Sequence, residues 1–208
     1  MVEEKVLKLV KLIQSHKVRY IPANLRLFII SEKEYLRITN RGINSSWHTD
    51  DFGIGETFRC EREHILDLFA KLEFFVNEII RLKLLGWENP NHQMLEEILE
   101  YTDFFSRIKL LNNWGIIDKK LLGLLVETKQ TRNGLAHKWS VDEVNYKGVQ
   151  LIKNFEKFKE DMKLIWKGLL ECYKGEQEKI DFDKLIKELE DLNSQEPDTQ
   201  HPKSNTLK

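Results

Sequence analysis

The sequence predicts an all-α protein, a helical bundle carrying an N-terminal extension. Residues 62–85 and 149–173 repeat apolar side chains at the spacing of a 3.6-residue helix. Three shorter stretches with helical character, 92–101, 103–114 and 118–138, lie between them and are separated by Gly, Asn and Pro. Strand-like sequence is confined to residues 25–38.

Taken in order, residues 3–15 set Val6, Leu9, Val10, Leu12 and Ile13 among Lys and Glu, which predicts a short amphipathic helix. Pro22 interrupts it. Leu25-Arg-Leu-Phe-Ile-Ile30 reads as a strand that Tyr35-Leu-Arg-Ile38 would pair with as a small β-hairpin. Ser31-Glu-Lys-Glu34 also has the form of a capping box, so a helix over 32–39 competes. Residues 40–57 read as loop, with Gly42, Gly53 and Gly55.

The first long helix has Ile65, Leu68, Phe69, Leu72, Phe75, Val76, Ile79, Ile80 and Leu84 on its apolar face, and Gly86 and Asn89-Pro90 end it. Phe69, Phe74 and Phe75 read as core rather than as a base-stacking platform. Gly115 closes the third helix, and Asp118 caps the next, which runs to about 138. Residues 139–148 form a polar connection. The second long helix, 149–173, places Leu151, Ile152, Phe155, Phe158, Met162, Ile165, Trp166, Leu169 and Leu170 on its apolar face. Residues 181–192 form a small amphipathic helix. The chain thus divides into an extension (1–60), a helical domain (61–175), a C-terminal helix (176–192) and a polar tail (193–208) that reads as disordered.

The 208 residues are 41% hydrophobic and 32% charged, with a formal net charge of −1. This is the composition of a soluble globular protein and excludes a globally basic nucleic-acid binder. Residues 107–139 nevertheless hold seven basic residues against two acidic ones, which suits local polyanion binding or a solvated helix face. Cys60 and Cys172 lack metal-site spacing, and no export signal precedes them, so reduced thiols and a cytoplasmic location are expected. No apolar run reaches the roughly 18 residues of a membrane span. No Gly-rich phosphate loop, Cys-x-x-Cys pair or serine nucleophile elbow is present, and no cofactor is expected. Trp47-His-Thr-Asp-Asp51 places a histidine near two carboxylates, but it reads as a solvent loop and no metal is expected.

Arg132-Asn-Gly-Leu-Ala-His137 carries the chemistry. Arginine stays charged and binds phosphate through two parallel hydrogen bonds. Histidine exchanges a proton near neutral pH. Together they form the minimum set for cutting RNA without a metal. Asn133 and His137 are four apart and share a helix face. Arg132 and His137 are five apart and diverge by about 140° on a regular helix. Either the helix deforms near Gly134, or a second copy of the chain supplies one partner across a two-fold axis. Glu73, on the first long helix, reads as part of a solvated stripe, with a contact to Arg132 across the bundle as the alternative. Lys129 and Lys138 flank the motif as candidate RNA contacts.

The segment Thr131–His137 resembles the signature of the HEPN superfamily: Arg, a short spacer and His, with a polar residue after the Arg. Phe104-Phe-Ser-Arg-Ile-Lys-Leu-Leu111, Gly115-Ile-Ile-Asp118 and Leu121-Leu-Gly-Leu-Leu-Val126 resemble the family's approach to that helix, so the likeness spans about residues 62–174. It implies a helical bundle that dimerises and a metal-independent endoribonuclease, of the kind found in defence and toxin–antitoxin-like systems. It also implies Arg132, Asn133 and His137 as catalytic residues, with RNA as partner. Some members instead bind RNA or nucleotides without cutting, or act as regulatory partners. The toxin branch carries a tyrosine two residues after the histidine as its site of inactivation. Trp139 stands there, so restraint is expected from an antitoxin-like partner protein or from the extension.

Overall fold

Apolar residues recurring every third or fourth position from Ile65 to Ile80 produce helix α2 (Arg62–Leu85), buried widely enough to take neighbours on several sides. The computed structural model describes residues 2–14, 26–30, 34–39, 42–48, 54, 58–86, 91–138 and 140–194. α3 (His92–Tyr101), α4 (Phe104–Asn113), α5 (Lys119–His137) and α6 (Phe155–Gln177) all pack against α2. The class is all-α. The core lies between α2 and α6, where Phe75 meets Trp166 and Tyr173 at ring-centroid distances of 5.6 and 5.4 Å. Gly86 ends α2 at φ 61, a left-handed φ that glycine adopts without Cβ strain, and its N–H bonds Leu82 O. Phe69 and Phe75 are core, as expected, whereas Leu84 is exposed and Leu82 is buried.

Two expectations are corrected, and one open alternative is resolved. Residues 40–57 are not all loop, because Gly42–His48 forms β3. It pairs antiparallel with β2 (Glu34–Thr39), which pairs with β1 (Arg26–Ile30), so the sheet is a three-stranded meander. The register jumps from Ser45 to Ile43 opposite Arg37 and Ile38, which leaves Asn44 as a bulge. Residues 34–39 are strand, not helix: backbone pairing on both edges outweighs a capping box worth about 1 kcal/mol. The second long helix begins at Phe155, not 149. The chain before it forms a hairpin of β4 (Asn145–Tyr146) and β5 (Val149–Gln150), then one 3-10 turn over Leu151–Asn154.

The first and last described helices meet. α1 (Val2–Gln14) packs on α7 (Phe182–Ser194), burying Leu9 and Val10 against Phe182, Leu185, Ile186 and Leu189, apart from the main core. Lys5 pairs with Asp183 beside them. The polar tail beyond 194, residues 49–51 of the histidine–carboxylate stretch, and Trp139 lie outside the described residues. Among the described residues no helix is long and apolar enough to cross a membrane.

Candidate functional site

α5 carries the motif, and its neighbours fix its rotation. Asp118 caps it, accepting from Leu121 N–H at 2.7 Å. Leu121, Leu125, Thr128, Thr131 and Leu135 form its buried face. The last turns are braced from two directions. Arg62 Nε donates to Leu135 O at 2.9 Å, and the Thr131 hydroxyl donates to Asn145 O at 3.3 Å. Val144 packs so closely that a Cβ at Gly134 would sit 3.1 Å from its Cγ1. Lys138 N–H closes on Gly134 O at 3.0 Å. α5 is therefore continuous helix through Gly134, and the deformation allowed for there is absent.

The brace has its own anchor. Tyr146 is fully buried, edge-on to Phe158 at 5.2 Å, and its hydroxyl donates to Asp161 at 2.7 Å. Lys147 also reaches Asp161 at 2.7 Å, and Lys157 at 3.2 Å. Burial pushes the Asp161 carboxyl up, but hydrogen bonds from Lys147, Tyr146 and Lys157 outweigh it and hold the carboxyl below its ordinary value. An unfolded aspartate ionises near about 3.9, so the stabilisation is present above that pH and is lost as pH falls through the depressed folded value. The melting-temperature gap between wild type and Asp161→Asn should be widest above about pH 5 and narrow as pH falls below the unfolded carboxyl's value of about 3.9. A gap that does not vary with pH contradicts this.

A cleft of about 500 Å³ opens where α2, α3, α4 and α5 converge, and Arg132 and Asn133 form part of its wall. The expectation that Glu73 belongs to a solvated stripe is corrected: packing of α2 on α5 sets it against Arg132. Its Oε1 lies 3.4 Å from Arg132 Nη2, and its Oε2 lies 3.5 Å from Arg107 Nη2. Arg107 is buried at the cleft wall, donates to Asn77 Oδ1 at 2.7 Å, and lies 5.7 Å above the Phe104 ring. Lys129 enters the same cleft, 3.3 Å from Asp103 and over the Phe105 ring at 5.2 Å. The Ser106 hydroxyl, then Lys129 and two backbone N–H groups, hold the Asp103 carboxyl down at about 2, against a smaller opposing effect of burial. The wall thus offers three basic side chains (Arg107, Lys129, Arg132) against three acidic ones (Glu73, Glu100, Asp103).

His137 is exposed at the end of α5 and is not part of this wall. Asn133 shares its face, but no hydrogen bond joins them among the described residues. Lys138 also lies outside, with its ammonium on Glu143 O. Lys119 and Lys120 sit about 18 Å from Arg132 along α5, so the basic run does not form one patch. Within one chain, then, Arg132, Asn133 and Lys129 come together, and His137 and Lys138 do not join them.

Among the wall residues, Glu100, Tyr101, Thr102 and Asp103 had no assignment from sequence, and Arg107 was counted only in the basic run. Tyr101 is 92% exposed at the end of α3. The thiols stand apart. Burial pushes Cys60 and Cys172 up to about 11, and Cys172 donates to Ile116 O, so both stay protonated near neutral pH. None of the described residues of the extension lines the cleft. Compared with known proteins, no family model, no curated protein and no solved structure matches this chain.

Proposed function

We propose that the chain is a HEPN-type, metal-independent endoribonuclease that works as a homodimer in a defence or toxin–antitoxin-like system, with a partner protein as its restraint. The convergence of Arg132 and Asn133 with Arg107 and Lys129 in one cleft carries this reading. It supplies a phosphate clamp next to a helix that ends in an exposed histidine. In the reaction the RNA's own 2′-OH attacks the neighbouring phosphorus, the P–O5′ bond breaks, and a 2′,3′-cyclic phosphate and a 5′-hydroxyl form. His137 removes the 2′-OH proton or gives one to the departing 5′ oxygen. Arg132 stabilises the charge that builds on the phosphate, and Asn133 contacts it or orients the imidazole. DNA, lacking the 2′-OH, is bound but not cut.

With α5 regular, Arg132 and His137 of one chain point about 140° apart. A working site therefore takes its histidine from the second copy. Arg132→Ala and His137→Ala proteins should each be inactive, and mixing them should restore up to about a quarter of wild-type cleavage, since half of randomly mixed dimers keep one intact site of two. No recovery on mixing, or full activity in a monomer, contradicts the two-chain site. The balance of acidic and basic wall residues, with His137 outside the cleft, favours a second reading: an RNA- or nucleotide-binding module that does not cut. Wild-type protein that binds RNA and leaves it intact would establish that reading.

A further inference from the structure

We propose that the cleft takes one nucleotide of single-stranded RNA, its base stacked on Tyr101 and its phosphate seated between Arg107 and Arg132 where the Glu73 carboxylate now lies. This rests on the ribonuclease reading above and names how its substrate is held.

Three observations converge on it. First, Glu73 gives one oxygen to each arginine, at 3.4 and 3.5 Å, well beyond the roughly 2.7–2.9 Å of a tight charge-assisted pair. The carboxylate is loosely held between two guanidinium groups. A phosphodiester presents two unesterified oxygens in the same way, so it replaces Glu73 without leaving either arginine unpaired.

Second, Arg107 is only 8% exposed, and its buried Nε has no acceptor. Asn77 and Phe104 hold its plane in place, so the cation is fixed before any ligand arrives. Arg132, with 41% of its side chain exposed, is free to close on the phosphate.

Third, Tyr101 forms part of the wall yet is 92% exposed, and its ring has no aromatic partner among the described residues. An exposed ring beside clustered cations is the pattern that binds unpaired bases, because every base has a face to stack and every nucleotide a phosphate to pair. The volume of about 500 Å³ falls within the roughly 300–1,000 Å³ of small-ligand sites. A duplex keeps its bases stacked on one another and cannot offer one to Tyr101.

The test measures binding, not cutting, in full-length protein carrying His137→Ala. Fluorescent single-stranded RNA of roughly ten nucleotides, DNA of the same sequence, duplex RNA and adenosine monophosphate are titrated by anisotropy. Tyr101→Ala should weaken both single strands about tenfold, and Tyr101→Phe should restore them. Glu73→Gln, which keeps an acceptor for the arginines but removes the competing charge, should tighten both severalfold. Duplex RNA should bind weakly and be indifferent to Tyr101. Unchanged affinity in Tyr101→Ala, weaker binding in Glu73→Gln, or duplex RNA or free nucleotide binding as tightly as single strands would each overturn the proposal. Because Tyr101 is almost wholly solvent-exposed, its loss cannot act through unfolding. If the wild type binds single strands in this way but never cuts, the ribonuclease reading fails and this one stands. If it cuts while Tyr101→Ala binds as before, the reverse holds.

Discussion

Purified His137→Ala protein is expected to lose RNA cleavage by about 10²–10⁴-fold, the usual worth of a positioned proton-transfer group, while keeping the wild-type melting temperature. The second half follows from position. His137 is exposed in the last turn of α5, outside the core and outside the braces that hold that helix. Alanine gains roughly 0.6 kcal/mol of helix propensity and gives up no core packing, so little change in stability is expected. Activity assays paired with thermal melts check this. A variant that unfolds gives His137 a structural role, and one that still cuts RNA removes it from the mechanism.

The largest effect on stability is expected at Tyr146. Replacing this buried ring with alanine should cost about 3–5 kcal/mol by cavity formation. It also takes from buried Asp161 its hydroxyl donor. Burial first, and then the Asp161 carboxylate, push the phenol's pKa up, so the hydroxyl stays a donor across the physiological range. For a chain of this length the loss corresponds to a melting point lower by roughly 10 °C. Tyr146→Phe keeps the ring and loses only the hydrogen bond, about 1–2 kcal/mol. Cleavage should fall together with stability in Tyr146→Ala, because β4 braces the end of α5 that carries Arg132 and His137. Equal melting points for Tyr146→Ala and the wild type would show that the hairpin is not an anchor.

Periodicity made the bounds of α2 legible, since eight of its nine expected apolar positions are buried and a glycine ends it, although the last, Leu84, is exposed. The Asp118 cap and the run of α5 were equally plain. Gly42–His48 was not: Asn44, Ser45 and Ser46 carry no strand signal, and pairing with β2 makes it a strand. The start of α6 was misplaced because Leu151 and Ile152 fit helical spacing, although both lie in the 3-10 turn, Leu151 buried and Ile152 exposed. Tyr146 looked like part of a polar connection, and only its contact with Phe158 and Asp161 shows otherwise.

The same limit holds at the cleft. Arg132, Asn133 and Lys129 share one helix and were visible as neighbours. Glu73 lies 59 positions before Arg132, and the two meet only through the packing of α2 on α5. Arg107 and Tyr101 join them because α3 and α4 both pack on α2, which local spacing does not encode.

The ends of the RNA fragments that the wild-type protein produces in excess EDTA decide whether it is a metal-independent ribonuclease. Single-stranded RNA should be cut to 2′,3′-cyclic phosphate and 5′-hydroxyl ends, and DNA of the same sequence should stay intact. Intact RNA, cleavage only when a divalent metal is restored, or 5′-phosphate ends would contradict this reading.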